Sequence, residues 1–297
     1  MVKKSAVQTQ KKIQLIKDAI VHNMHYLTDP FQYVFIQRAV LAAVIIGVLC
    51  AALGTFVVLR RMAVVGHALT HSALPGLVIA YLMGGSLFAG ALIATVLTAL
   101  GIGFLARDES VYEDTLVGMI PNIMFAFGIL LISTTKSFRD LFSMLFGNIL
   151  GITQGDLHLI MLIAAISLIA LFLFYKELKL FTVDPNYAQT IGMPVKLMHY
   201  GILLFLSFTV VVGIQAVGTV LTNALLVIPV AAARLLTDRL GRMIGLSCIF
   251  AVISAIGGIY FSYYFGSASG ASIVMFAALI FAIIWVYKFI QKQFRKG

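Results

Sequence analysis

Apolar residues run along this chain in long uninterrupted stretches, and the charged residues fall between them. The intervals free of Asp, Glu, Lys and Arg are 39–59, 62–106, 115–135, 157–175, 197–233 and 243–287. A helix needs about 20 predominantly apolar residues to cross a bilayer. On that ruler 39–59, 115–135 and 157–175 each predict one span. The interval 62–106 predicts two, turning near Gly84-Gly85, and 243–287 two more, turning between Gly266 and Gly270. The interval 197–233 holds either two short spans broken around Gly213 to Gly218 or a re-entrant segment. The pattern predicts an all-α polytopic membrane protein with eight or nine transmembrane helices.

Composition sharpens this picture. Hydrophobic residues make up 61% of the 297 and charged residues 11%, against about 25% charged in soluble chains, which excludes a soluble globular domain. Cys50 and Cys248 both lie inside apolar runs, where they read as small buried side chains and argue against a disulfide framework or a thiolate metal site. The net charge of +10 could suggest nucleic acid. The basic residues punctuate apolar spans instead, the mark of positive-inside loops and a lipid bilayer partner.

The predicted organisation has three parts: a basic amphipathic segment over 1–30, a transmembrane domain over 31–290, and a basic cytoplasmic tail over 291–297. Lys3, Lys4, Lys11 and Lys12 precede Ile13, Ile16, Ile20 and Leu27 at helical spacing. That stretch reads as an interfacial helix too short to span, and not as a cleaved signal peptide. Lys288, Lys292, Arg295 and Lys296 place the C-terminus in the cytoplasm. Counting back puts Arg234, Arg239 and Arg242, the segment 176–196, Arg107 and Arg60-Arg61 inside, and 134–156 outside. With nine spans the lysine-rich N-terminus falls outside, against the rule, so the sequence leaves both the span count and that side open.

The titratable side chains well within apolar stretches are His67, His71 and His199. His199 lies three residues beyond Lys196 and reads as an interfacial residue. His67 and His71 are different, because residues i and i+4 share a helix face about 5–6 Å apart at Cβ. Two neutral imidazoles so placed can bind one transition-metal ion, with Thr70 and Ser72 offering hydroxyls nearby and Pro75-Gly76 able to kink the helix beyond. The plain structural alternative is a pair of histidines hydrogen-bonded to neighbouring helices.

The run Gly66-His67-Ala68-Leu69-Thr70-His71-Ser72-Ala73-Leu74-Pro75-Gly76, after Arg60-Arg61, resembles the Gly-Asp-Ala-x-Ser-His-Ala-x-Leu-Pro-Gly hallmark of permeases in the manganese, zinc and iron branch of ATP-binding-cassette importers. It matches at Gly66, Ala68, His71, Leu74, Pro75 and Gly76. Further likenesses follow in order along nearly the whole chain: Glu113-Asp114-Thr115 with Phe125 to Ile129, Leu145 to Leu150, Asp184 with Ala188 and Gly192 to Val195, and Gly218 to Leu221 with Ala224 to Leu226 and Pro229. His67 stands where the family usually has Asp, Asn122 where a Ser or Thr is common in the fourth span, and Ala232 at the late Thr. In the family that Asp and the His four residues on are implicated in coordinating the travelling ion. A carboxylate suits hard ions such as manganese, while imidazole suits zinc and iron. The departure therefore puts manganese in more doubt than the permease function.

The resemblance implies the metal-type importer permease fold in a bacterial cytoplasmic membrane. It implies a homodimer of permeases, two cytoplasmic ATPase subunits and an extracellular solute-binding protein. A divalent manganese, zinc or iron ion would be the cargo, with no permanently bound cofactor. His67 and His71 would contact the metal, Thr70 and Asn122 would line the pathway, and Asp184, Ala188 and Gly192, within a coupling element over about 178–196, would meet the ATPase. The chain shows no Gly-x-x-x-x-Gly-Lys-Ser/Thr loop, so it is read as a transport subunit and not an enzyme. Two alternatives remain: the same fold importing a metal chelate or an organic substrate, and a self-contained secondary transporter. Transport is expected to weaken as pH falls through the histidine range, about 6.5 when unperturbed, because a protonated imidazole repels the ion.

Overall fold

The computed structural model describes residues 29–105, 112–133 and 149–294. In order the helices are α1 (Val34–Leu59), α2 (Ala63–Leu82), α3 (Leu87–Leu105), α4 (Glu113–Ser133), α5 (Gln154–Leu173), α6 (Tyr175–Val183), α7 (Pro185–Thr190), α8 (Val195–Val217), α9 (Thr219–Leu236), α10 (Leu240–Phe265) and α11 (Ser269–Phe294). Among the described residues, nine helices, all but α6 and α7, are long and apolar enough to cross a membrane. A spanning segment must satisfy its backbone internally, and a helix does so.

The charge-free intervals become these helices, and the turns fall where glycines were expected to place them. Gly218 joins α8 to α9 directly at φ +87°, a conformation that L side chains rarely adopt. The interval 197–233 therefore holds two separate membrane-length helices, and the described span count is nine. The N-terminal amphipathic segment, Arg107, the stretch Phe146-Gly147-Asn148 and the last residues of the tail lie outside the described residues.

α1 is the central helix. Ala39, Ala43, Ile46, Leu49, Cys50, Leu53 and Phe56 are all buried within the bundle. At the periphery, α11 turns Met275, Leu279, Ile283 and Val286 outward. Small residues let the backbones approach, as membrane helix packing requires. A Cβ at Gly76 would collide with the carbonyl oxygen of Gly90, and one at Gly90 with that of Gly76, so α2 and α3 cross backbone to backbone. A Cβ at Gly54 would likewise strike the carbonyl of Leu226, seating α9 on α1. Gly128 of α4 presses on Leu74 and on the nitrogen of Pro75. α2 is thus fixed from two sides, by α3 and by α4.

Cross-links identify the two ends of the bundle. Arg38 donates to Gln154 Oε1 (3.2 Å), joining the starts of α1 and α5. Tyr200 donates to the Gly103 carbonyl (2.8 Å), joining the start of α8 to the end of α3. Arg60, after α1, donates to the Phe181 carbonyl of α6 (3.3 Å). Every described Lys and Arg except Arg38 belongs to the end marked by Arg60, Lys176, Lys196, Arg234 and Lys292.

Candidate functional site

The two candidate histidines sit on the first half of α2, the helix whose position the close glycine contacts fix. A sharp turn feeds it: Arg61 adopts φ +60°, and the Met62 amide donates to the Val57 carbonyl at 2.8 Å. The i, i+4 spacing brings the imidazoles together as expected. His67 Nε2 and His71 Nε2 lie 3.3 Å apart, with ring centroids 4.8 Å apart and planes at 84°. His67 is exposed and His71 half-buried, so the pair looks out of this chain from within a candidate span.

Thr70 is fully buried and lies beside the pair. Its hydroxyl donates to the His67 carbonyl at 2.6 Å. Ser72, also buried, donates to the Leu69 carbonyl and is turned away from the imidazoles. Pro75 carries no N–H, so the carbonyl of His71, four residues earlier, lacks the donor an unbroken helix would supply.

Two neighbours complete the surroundings, and sequence reasoning missed the part each plays. From α4, Phe125 meets His71 edge-on with centroids 5.0 Å apart. From α9, the Asn223 amide nitrogen lies 3.0 Å from His67 Nδ1 and donates to Thr70 Oγ1 at 3.2 Å. The Asn223 Oδ1 atom is buried without a partner. The only advance signal for Asn223 was an amide inside the apolar interval 197–233, where polar groups are expensive and default to functional hypotheses. Asn122 sits on the exposed face of α4, one turn before Phe125, and its amide donates to the Gly118 carbonyl at 2.6 Å. It joins no hydrogen bond with either histidine among the described contacts.

Among the described residues no group of three or more His, Cys, Asp and Glu side chains could hold a metal ion. Among the described residues the pair thus stands as two imidazoles with no carboxylate grouped with them. His199 lies in the first turns of α8, beside Tyr200, and takes no part.

The expected ATPase-docking residues build the shape of α6 and α7. Asp184 caps α7, accepting from the Tyr187 amide at 2.9 Å, with Pro185 at the first helical position. Ala188 is fully buried beneath α7, and Gly192 closes the turn at φ +82°. The large apolar side chains presented outward there are Val183, Tyr187 and Ile191, at 69%, 56% and 52% exposed. Phe181 is fully buried, and the Arg60 guanidinium stacks 4.0 Å above its ring. The element is thereby clamped to the turn that leads into α2.

Residues 32–288 match the ABC 3 transport family. The chain belongs to that family. The manganese transport system membrane protein MntC of Halalkalibacterium halodurans is 44% identical over 267 residues, 89% of this chain and 91% of that protein. The chelated iron transport system membrane protein YfeD of Yersinia pestis is 36% identical over 265 residues, 89% of each chain. Among solved structures, PsaBC from Streptococcus pneumoniae in complex with Fab superposes with a TM-score of 0.80 at 34% identity, covering 88% of this chain and 95% of that one. An inward-facing putative metal-chelate type ABC transporter gives 0.69 at 14% identity and covers 86% of each, a likeness of fold alone. As a member of the ABC 3 transport family with nine candidate spans, the chain is a multi-pass membrane permease.

Proposed function

We propose that this permease imports a divalent first-row transition-metal ion, manganese or iron and by ligand chemistry also zinc, along a pathway that passes His67 and His71. The carrying observation is the 3.3 Å separation of the two Nε2 atoms on an outward-looking helix face. Two nitrogens bound to one tetrahedral cation at about 2.0–2.1 Å stand about 3.3–3.4 Å apart. Relatives named for manganese and for chelated iron transport support this cargo class.

An exposed imidazole facing lipid is unfavourable. A second copy of the permease, opposing its own pair across a shared pathway, removes that exposure and brings four imidazoles toward one ion. Such a site stays weak, because neutral ligands leave the dication uncompensated. Conduction needs that weakness for release. The metal is cargo, and no resident cofactor is invoked.

The drive comes from two separate ATPase subunits, and cargo is delivered by a solute-binding protein on the opposite face. The end rich in Lys and Arg is cytoplasmic. There the exposed Val183, Tyr187 and Ile191 of α6 and α7 form an apolar surface for an ATPase groove. Nucleotide-driven motion of that element would reach α2 through Phe181 and Arg60.

The test is metal uptake in a strain lacking its own importers, with manganese, iron and zinc offered separately and as chelates. His67→Ala and His71→Ala should each reduce uptake of the free ion at least about tenfold, the effect of about 1.4 kcal/mol of lost stabilisation. Normal transport of every metal by both variants overturns the site. Import of a chelate, but of no free ion, by the wild-type protein assigns the site to a chelated cargo.

A further inference from the structure

The hairpin of α10 and α11 ends in uncompensated positive charge beside the one tryptophan of the chain. We infer that this patch, centred on Lys288 and Lys292 with Trp285, binds the phosphodiester headgroup of an anionic phospholipid. The lipid belongs to the leaflet at the Lys- and Arg-rich end of the bundle.

The inference starts from charge. After Asp238 the sequence holds no further Asp or Glu, yet it carries Arg239, Arg242, Lys288, Lys292, Arg295 and Lys296. The hairpin gathers the first four at one depth. Ser262 Oγ and Ser269 Oγ lie 2.7 Å apart across its turn, and a Cβ on Gly258 would collide with Ile273. Carried along two antiparallel helices, that register sets Arg239 level with Lys292 and Arg242 level with Phe289. Among the described residues, no hydrogen bond or ion pair engages the side chains of these four cations.

Helix length supplies the depth. α11 has 26 residues, about 39 Å, whereas the hydrocarbon core of a bilayer is about 30 Å thick. Its last turns therefore reach the headgroups. Trp285, Lys288, Phe289 and Lys292 follow one another at i, i+3, i+4 and i+7, which is one face of a helix. Trp285 stacks on Phe289 with centroids 5.7 Å apart, and both rings are about half exposed. Aromatic rings so placed mark the boundary between acyl chains and headgroups. Lys288 is half-buried and ends the row Ala277, Phe281 and Ile284. In such a place a lysine lays its stem on apolar surface and carries its charge to the polar layer.

Lipid is the occupant that fits both properties of this face. The stripe borders the outward apolar surface of α11, formed by Met275, Leu279, Ile283 and Val286. Acyl chains can lie on that surface while the phosphate meets the lysines, as basic sites at the cytoplasmic ends of membrane helices allow. An acidic protein groove would match the charge alone. A bound lipid would also brace α10, which is tied to the central helix where Thr55 Oγ1 and Ser247 Oγ lie 3.3 Å apart.

Trp285 is the single tryptophan, so its fluorescence reports this patch alone. The test is quenching by brominated acyl chains in vesicles of phosphatidylcholine and phosphatidylglycerol that hold the purified permease. The bromine is carried by one lipid or the other at equal mole fraction. Phosphatidylglycerol should be preferred at Trp285 by at least about fivefold, the effect of one well-placed cation at an anionic surface. The preference should disappear in the double variant Lys288→Gln, Lys292→Gln and survive in Lys288→Arg, Lys292→Arg. Equal quenching by the two lipids in the wild type, or an undiminished preference in the glutamine variant, overturns the inference. So does weak quenching by both, which would mean that protein covers this face. If the glutamine double variant is not monodisperse, Lys292→Gln alone, at an exposed position, should lower the preference, and an unchanged value overturns the inference as well. No metal enters this readout, so its outcome is separate from that of the pathway past His67 and His71.

Discussion

Among the departures from the pattern this chain otherwise resembles, which include Asn122 and Ala232, His67 is the one that lies in the histidine pair. The imidazole reaches His71 at 3.3 Å on one side and Asn223 at 3.0 Å on the other. A carboxylate there would bring an anion and prefer harder ions. His67→Asp is therefore expected to raise manganese uptake relative to zinc severalfold in a direct competition assay, and an unchanged ratio would show that this position does not set selectivity. The histidine pair was legible because its geometry is local: four residues of helix suffice to predict it. Asn223 was not, for two reasons. An amide does not titrate, so a search for ionisable groups at membrane depth passes over it. Its partnership with His67 also spans 156 positions in the chain, and no local spacing encodes which face of α9 meets α2.

Helices were legible for a different reason. With lipid as solvent, charge is confined to their ends, and each charge-free interval reads directly as one or two spans. What remained hidden was how closely they pack, since a glycine at a backbone crossing looks in sequence like any other. Gly90 and Gly101 of α3 make the comparison. A Cβ at Gly90 meets the Gly76 carbonyl and the Ala80 side chain, whereas one at Gly101 meets nothing within 4 Å. Gly90→Leu should destabilise by at least about 1–3 kcal/mol, the range for overpacking a filled site. Gly101→Leu should be neutral or slightly stabilising, since glycine is the poorer helix former by up to about 1 kcal/mol. Thermal unfolding of the two variants in the same detergent separates them, and equal midpoints would refute the crossing. The sequence marked a single coupling element over about 178–196, but Pro185 cannot donate and Asp184 leaves the helical region at φ −145° and ψ 89°, so it divides into α6 and α7. Gly192→Arg, an obvious probe of docking, would strain the turn at φ +82°. Ile191→Glu avoids that fault: it should leave the permease folded and membrane-inserted but abolish metal-stimulated ATP hydrolysis by the reconstituted complex. Full stimulation would place the docking surface elsewhere.

On the scale of the whole molecule, the decisive feature is the charge difference between its two ends. Arg38 is the one described basic residue at the end formed by the start of α1 and the α2–α3 turn, while Arg60, Lys176, Lys179, Lys196, Arg234, Arg239 and Arg242 crowd the other. Positive residues near span ends stay in the cytoplasm, which would put the crowded end inside. Nine alternating spans then put the start of α1 outside, on the same face as the α2–α3 turn. This conflicts with the lysines at positions 3, 4, 11 and 12 if those alone set the orientation. The two influences can be separated with single cysteines in a background where Cys50 and Cys248 are replaced by Ala. Gln32, Ser86 and Asn186 are all exposed. An impermeant thiol reagent applied to intact cells should label Gln32→Cys and Ser86→Cys, and should reach Asn186→Cys only after permeabilisation. Labelling of Asn186→Cys alone would invert the molecule. Protection of Gln32→Cys beside a labelled Ser86→Cys would mean that α1 does not cross the bilayer alone, and the nine-span topology would fail.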